Sequence, residues 1–290
     1  MLIRKIIFNF AENIYFMIKK IIHCADIHVP AFRDLDKYSI QLDKFINKCA
    51  EITKDLQKNE IRIVLTGDIF HNKLQISNEQ FSFIAAFIRS LEKIGTVIVI
   101  SGNHDLLVNN LSRKDSLSAL FDTAAFENSY FIDESLNYKS GIMYDNNVTW
   151  ALYSIFSDYE KPDIQSAKAA EPNNLVIGLY HGTIIGATLN NGTVMENGAS
   201  GDDFQGCDIV MCGHIHKRQE FKRGNALIVY PGSVIQQRFD ETITQHGFCV
   251  WDLVKNTHEY IDIKSDFELY DFSIKQPTDF DENKEKLLNY

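Results

Sequence analysis

Apolar residues in this chain follow two rhythms. Short unbroken runs of Val, Ile and Leu recur along it, and between them apolar positions are spaced three and four apart. Unbroken runs predict strands buried on both faces, which have no polar side to show. The spaced positions predict helices with one buried face. In the first half a strand ends just before Asp26, and a helix is predicted over 37–56, with Ile40, Leu42, Phe45, Ile46 and Cys49 on one side. A strand over 61–65, a helix over 78–91, a strand over 96–100 and a short helix over 116–121 follow. Ser77 suits the N-cap of the second helix, because its hydroxyl can accept from a free backbone N–H. Strands and helices in alternation predict parallel pairing with right-handed crossovers.

The second half is richer in strands. Runs over 141–144 and 148–153 flank Asp145-Asn146-Asn147, and runs over 218–222 and 226–230 flank Arg223-Gly224-Asn225; both read as hairpins. Core strands are expected over 175–180 and 208–212, and a last pair over 247–253 and 259–263 turns through Lys255-Asn256. The segment 182–206, rich in Gly, Asn and Thr, reads as a surface loop near the site. The fold class expected is α/β, with two packed mixed β-sheets flanked by helices in a four-layer α-β-β-α sandwich.

The chemistry lies where the apolar runs stop. They end at Asp26 and His28, at Asp68, at Asn103, His104 and Asp105, at His181, and at His214 and His216. Ligands of α/β sheets bind beyond strand ends, so one fold can bring all five groups to one edge. Carboxylate, amide and imidazole donors without thiolates suit Mn, Mg, Fe or Zn. Gly67 leaves room for close backbone approach beside Asp68, whose carboxylate can bridge two cations. If Asn103 is a ligand, His104 is carried beside the metals without being one, placed to stabilise or protonate a leaving oxygen. Asp105 is then a candidate to orient the His104 ring, and His71 is a second free imidazole nearby. A lone histidine is usually structural, and His23, His246 and His258 read that way. Seven metal-type residues in register at strand ends do not.

Composition narrows the picture. The chain has 290 residues and a net charge of −10, which suits one large or two small domains. That charge excludes coating nucleic acid by electrostatics alone, though not acting on it. Lys217, Arg218, Lys222 and Arg223 are open to two readings, phosphate contacts or a solvated hairpin. The five cysteines form no C-x-x-C pair, so a reducing, cytoplasmic compartment is expected. No run approaches the ~18–20 apolar residues of a membrane span. Residues 1–16 read either as a dispensable extension before a start at Met17 or as a short amphipathic surface helix; Asn9, Glu12 and Asn13 interrupt any signal-peptide core. The catalytic domain is expected over 17–264, with an acidic, polar tail over 265–290.

Taken in order, Asp26-x-His28, Gly67-Asp68, Gly102-Asn103-His104-Asp105, His181 and Gly213-His214-Ile215-His216 resemble the calcineurin-like metallophosphoesterase superfamily. Ala25-Asp26-Ile27-His28, Gly67-Asp68-Ile69-Phe70-His71, Gly213 to Arg218 and Tyr230-Pro231-Gly232-Ser233 further resemble the SbcD-type DNA repair nucleases. The resemblance implies two divalent ions, manganese above others. Asp26, His28, Asp68 and His216 would hold the first, and Asp68, Asn103, His181 and His214 the second. His104 would assist the leaving group and His71 would place the DNA strand. It implies 3′-to-5′ exonuclease and endonuclease activity on DNA in repair and recombination, an SbcC-type coiled-coil ATPase partner, and a homodimer whose seam uses helices near 78–91. SbcD-type chains continue into a capping domain and an ATPase-gripping segment, for which 265–290 is too short. A fragment, a split gene or a reduced relative are the expectations that follow. Two other readings stand beside this one: a small-molecule phosphodiesterase or phosphatase on the same fold, and a catalytically idle DNA-end scaffold.

Overall fold

The computed structural model describes residues 16–110, 112–157, 160–269 and 284. The reading of 1–16 therefore lies almost wholly outside the described residues, as does most of 265–290. In chain order the elements are β1 (Lys20–Cys24), α1 (Leu35–Thr53), β2 (Ile61–Thr66), α2 (Asn78–Glu92), β3 (Thr96–Ile100), α3 (Ser116–Ala124), β4 (Ser129–Phe131) and α4 (Ile132–Ser135). There follow β5 (Gly141–Asp145), β6 (Val148–Tyr153), α5 (Ile164–Ala170), β7 (Leu175–His181), β8 (Ile209–Gly213), β9 (Gln219–Arg223), β10 (Ala226–Tyr230), β11 (Gly247–Asp252) and β12 (Thr257–Asp262).

They build two six-stranded mixed sheets, ordered β12-β11-β1-β2-β3-β4 and β5-β6-β7-β8-β10-β9. In the first sheet β1 to β4 are parallel, β11 runs antiparallel to β1, and β12 turns back antiparallel to β11. In the second, β6, β7, β8 and β10 are parallel, with antiparallel β5 and β9 at the edges. The short strand β4 and helices α4 and α5 were not predicted; each is too brief to print a periodicity.

Three apolar clusters explain the layering. Ile22, Leu42, Phe45, Ile63, Leu65, Ile84, Ile88 and Val99 pack α1 to α3 onto the first sheet. Ile21, Val64, Ile98, Trp150, Ile177 and Met211 fill the space between the sheets. Alternate residues of β1 and β2 thus serve opposite layers, as strand geometry requires. The outer face of the second sheet is covered by α5 and by the loops on either side of β8, through Ile184, Ala187, Phe204 and Ile215. This fourth layer is mostly loop rather than helix. The 182–206 segment is correspondingly less of a free surface loop than expected, because Ile184 and Ala187 are buried and Ile184 bridges to Ala199.

A fully buried ion pair crosses between the sheets. Arg62 of β2 donates two hydrogen bonds of 2.6 Å to Asp145 of β5, which also accepts from Trp150 at 3.1 Å. Arg62 and Asp145 are fully buried, so losing either would leave an uncompensated charge. The Phe-rich face of α2 turns inward: Phe87 is buried and Phe81 and Phe83 are half-buried, while Ser82, Ala86 and Arg89 face out. That face is core. Among the described residues no helix is long and apolar enough to cross a membrane, and all five cysteines are buried and unpaired.

Candidate metal centre

The parallel strands β1, β2, β3, β7 and β8 all finish at the same edge, and the predicted residues converge there. Four of them sit in the left-handed region: Asp26 at φ 53°, His28 at 51°, Asp68 at 53° and His214 at 96°. Side chains other than glycine reach this region only at some cost. The loops after β1 and β2 hold the geometry by pairing, with His28 N–H donating to the Asp68 carbonyl at 2.9 Å and His71 N–H to the Val29 carbonyl at 3.0 Å.

Gly67 and Gly102 act here by what they lack. A Cβ on Gly67 would collide with the His181 ring and with Gly102, and one on Gly102 would collide with Asp68. The space beside Asp68 is thus filled by the His181 ring and the Gly102 backbone, so Gly67 lets ring and backbone close in on Asp68.

Asp26, His28 and His216 form one group whose ligand atoms lie within 4.8 Å of one another; Asp68, His181 and His214 form another, and His28, Asp68 and His104 a third. Asn103 joins the second, its Oδ1 lying 3.2 Å from His181 Nε2 and 2.8 Å from His214 Nδ1. The Asp68 Oδ2 atom is 3.5 Å from His28 Nε2 and 3.4 Å from His181 Nε2, so it stands between the clusters. His104 falls within ligand range of His28 and Asp68, closer than a purely neighbouring role requires.

The proton positions bear on whether metals fit. His181 Nδ1 donates to the Thr66 carbonyl at 2.8 Å, and His216 Nδ1 donates to Glu241 at 2.7 Å. With those nitrogens protonated, Nε2 of each neutral ring carries a lone pair. The His181 lone pair faces the Asp68 and Asn103 oxygens; that of His216 faces His28 Nε2 at 3.1 Å. A lone pair turned toward acceptors, as His181 Nε2 is toward the Asp68 and Asn103 oxygens, needs a cation between them, so these residues fit divalent ions.

The titration of the same groups shows how much positive charge the cluster calls for. Burial would raise the Asp68 carboxyl, yet the His181 and His28 rings outweigh it and hold it far below the usual carboxylate range. Burial works against a charged His181, but Asp68 lifts it to about 9. Burial and the neighbouring His181 lower His214 to about 4. Burial pushes Asp26 up to about 6. Perturbation in both directions within one cluster marks functional sites.

Asp105 is not where the sequence reading put it. Its Oδ1 accepts from the backbone N–H of Ile69 and Phe70 at 3.0 and 2.9 Å, and its Oδ2 from Gly102 at 2.8 Å. It joins the loops after β2 and β3 and does not touch the His104 ring. That ring is oriented instead by His71, whose carbonyl accepts from Nδ1 at 2.7 Å. The His71 side chain is exposed, with ring centroids 5.4 Å from His28 and 6.0 Å from His104. Glu241 was missed altogether. It is buried, its Oε2 accepts from the Gln237 N–H at 2.9 Å, and 25 residues separate it from His216, with no motif to announce it.

Of the basic residues, Lys217 lines the groove over the cluster, which has a volume of ≈ 360 Å³. Arg218 is already engaged, 2.6 Å from Asp262 and 4.8 Å from the Tyr260 ring centre. Tyr230-Pro231-Gly232-Ser233 supports the histidine loop from below. A Cβ on Gly232 would press on the His216 carbonyl, and Ser233 bridges to Ala25.

The two-sheet sandwich thus gathers Asp, Asn and His side chains that could hold metal ions at one edge. The model of the calcineurin-like phosphoesterase superfamily domain matches residues 17–256, and the chain belongs to that superfamily. It is 34% identical over 261 residues to an uncharacterized protein of Acanthamoeba polyphaga mimivirus, covering 86% of this chain and 18% of that one. It is 27% identical over 213 residues to a putative phosphoesterase of Invertebrate iridescent virus 6, covering 69% and 66%. The chain thus spans under a fifth of the first relative and about two thirds of the second. A cold-active protein-tyrosine phosphatase of a psychrophilic Shewanella species is a distant structural likeness, with TM-score 0.37 and 17% identity over 84% of this chain and 81% of that one.

Proposed function

We propose that the chain is a manganese-dependent DNA nuclease of the SbcD type, cleaving phosphodiester bonds from ends and near single strands in repair or recombination. In this reading Asp26, His28, Asp68 and His216 hold one ion, and Asp68, Asn103, His181 and His214 the other. Two such ions supply an activated water and neutralise phosphoryl charge. The residues do the rest. Asp68 keeps the two ligand groups in register, and its Oδ1 accepts from the His104 N–H at 2.7 Å. His71 holds the Nδ1 proton of His104, so Nε2 is the nitrogen that meets a leaving oxygen.

The observation that carries the nuclease reading is the exposed His71 imidazole at the groove lip, beside the buried cluster but outside it. A polymer strand reaches such a group, whereas a small diester lying on the ions does not need it. An SbcC-type ATPase and a homodimer belong to the same proposal. The α2 face lends the dimer no support, since its phenylalanines point inward.

The second reading, a small-molecule phosphodiesterase or phosphatase, is favoured by the net charge of −10, which gives a polyanion no general attraction. Incubation with Mn²⁺ and end-labelled linear duplex DNA tests the choice, with Asp68→Asn as control. Stepwise shortening that requires Asp68 supports the nuclease. Intact DNA alongside hydrolysis of a chromogenic diester favours the small-molecule enzyme.

A further inference from the structure

Beside the groove lies a second cavity of ≈ 470 Å³, and His28 and His71 line both. The two spaces therefore meet at the metal cluster. Its other walls come from the first half of α1, from Ile235 to Gln237, and from the strap Ser265 to Leu269. The strap is fastened in place. Gln236 donates to the Leu269 carbonyl at 3.1 Å and accepts from its N–H at 2.8 Å, and Lys44 reaches the Lys264 carbonyl at 3.0 Å. This holds Phe267 in the wall facing α1, with Lys37 5.7 Å from its ring centre.

The charges of this wall say what it refuses. Asp34, Asp266 and Glu268 line it together with Lys37. Lys37 is paired with Asp34 at 2.8 Å, and Asp266 with Lys44 at 2.7 Å. Both lysines are thus engaged and neither is left for a further phosphate; a neutral group needs none. The wall also offers Phe267 and Tyr38 as aromatic surface. Gln41 lines it too, 1% exposed, with neither its amide oxygen nor its amide nitrogen hydrogen-bonded. An unsatisfied buried amide is costly unless a partner arrives. Among aromatic ligands, an amide's paired donor and acceptor match the edge of a nucleobase.

We infer that this cavity is a nucleoside subsite, which takes the base and sugar adjoining the phosphate held at the metal cluster. The base stacks on Phe267, and the Gln41 amide serves its edge. The inference rests on the nuclease reading for its substrate class, but it concerns the nucleoside and not the polymer. It makes this site one that unstacks a base at the end being cut rather than one that grips the backbone alone.

Two esters that differ only in this group test it: thymidine 5′-(p-nitrophenyl phosphate) and methyl p-nitrophenyl phosphate. We expect kcat/KM for the nucleoside ester to exceed that for the methyl ester by roughly fivefold to a hundredfold, the range of one base-aromatic stack. In Phe267→Ala, and in Phe267→Leu, which keeps apolar bulk without a planar face, that ratio falls most of the way toward one. A wild-type ratio near one, or a ratio untouched in a folded Phe267→Leu, overturns the inference. If duplex DNA is not cut while the ratio holds, the nuclease reading fails and the subsite stands. If neither ester turns over, equilibrium dialysis with thymidine decides. Binding that Phe267→Leu weakens supports the subsite, and no binding refutes it.

Discussion

Glu241 accepts a 2.7 Å hydrogen bond from Nδ1 of His216, so a carboxylate outside every motif decides which nitrogen of that ring faces the cluster. The same bond, working against burial, raises the affinity of His216 for protons.

Glu241→Gln should therefore weaken manganese binding. Outer carboxylates on ligating histidines are worth about 10- to 100-fold in affinity, and calorimetric titration with Mn²⁺ would measure it. An unchanged affinity would remove His216 from the ligand set or show that Glu241 does not orient it.

His104→Ala should lower turnover by about 10²- to 10⁴-fold, the usual span for a positioned proton donor, while leaving bound metal near two ions per chain. Elemental analysis belongs beside the kinetics, since His104 also lies within ligand range of His28 and Asp68. Loss of metal would make it a ligand and not an acid.

Asp105→Asn should act through the fold. The carboxylate takes three backbone N–H bonds, and an amide would turn its own N–H group toward at least one of them. A cost of about 1–3 kcal/mol is expected for such a mismatch, read from urea denaturation of the metal-free chain. Undiminished stability would mean that the loops after β2 and β3 are held together by other contacts.

His23 gives a pH dependence. Burial keeps it neutral down to about 3, although its bond to the Cys212 carbonyl favours the charged form. Below pH 6.5 the unfolded chain takes up a proton that the native chain refuses. Its contribution is present at neutral pH and is lost as pH falls from 6.5 toward 3, by up to about 1.4 kcal/mol per pH unit. His23→Gln keeps a donor for the Cys212 carbonyl and should flatten that part of the slope. Denaturation midpoints at pH 4, 5, 6 and 7 would show it, and parallel curves for the two proteins would contradict it.

The strands and the long helices were legible because burial imposes a period on them. Ile63, Val64 and Leu65 could hardly be anything but a strand with both faces covered. The cluster was legible for a related reason: each of its groups directly follows an apolar run. What escaped was set by contacts distant in sequence. Nothing near Asp105 says that its oxygens will be taken by Ile69 and Phe70, and nothing near Glu241 points to His216. The fourth layer was expected, but as helix; its make-up escaped because Ile184, Ala187 and Phe204 are buried one at a time from loop, without a repeat to read.

The left-handed backbone at Asp26, His28, Asp68 and His214 has an evolutionary side. Each such residue costs the fold roughly 1–2 kcal/mol relative to a relaxed one, and glycine would remove that cost. Folding and turnover thus ask for different residues at the same four positions. In a descendant copy no longer held to its chemistry, drift toward glycine at these turns would meet less resistance than drift in the core. The motif would decay while the sandwich around it persisted, and the state of these four turns would tell a working copy from a retired one.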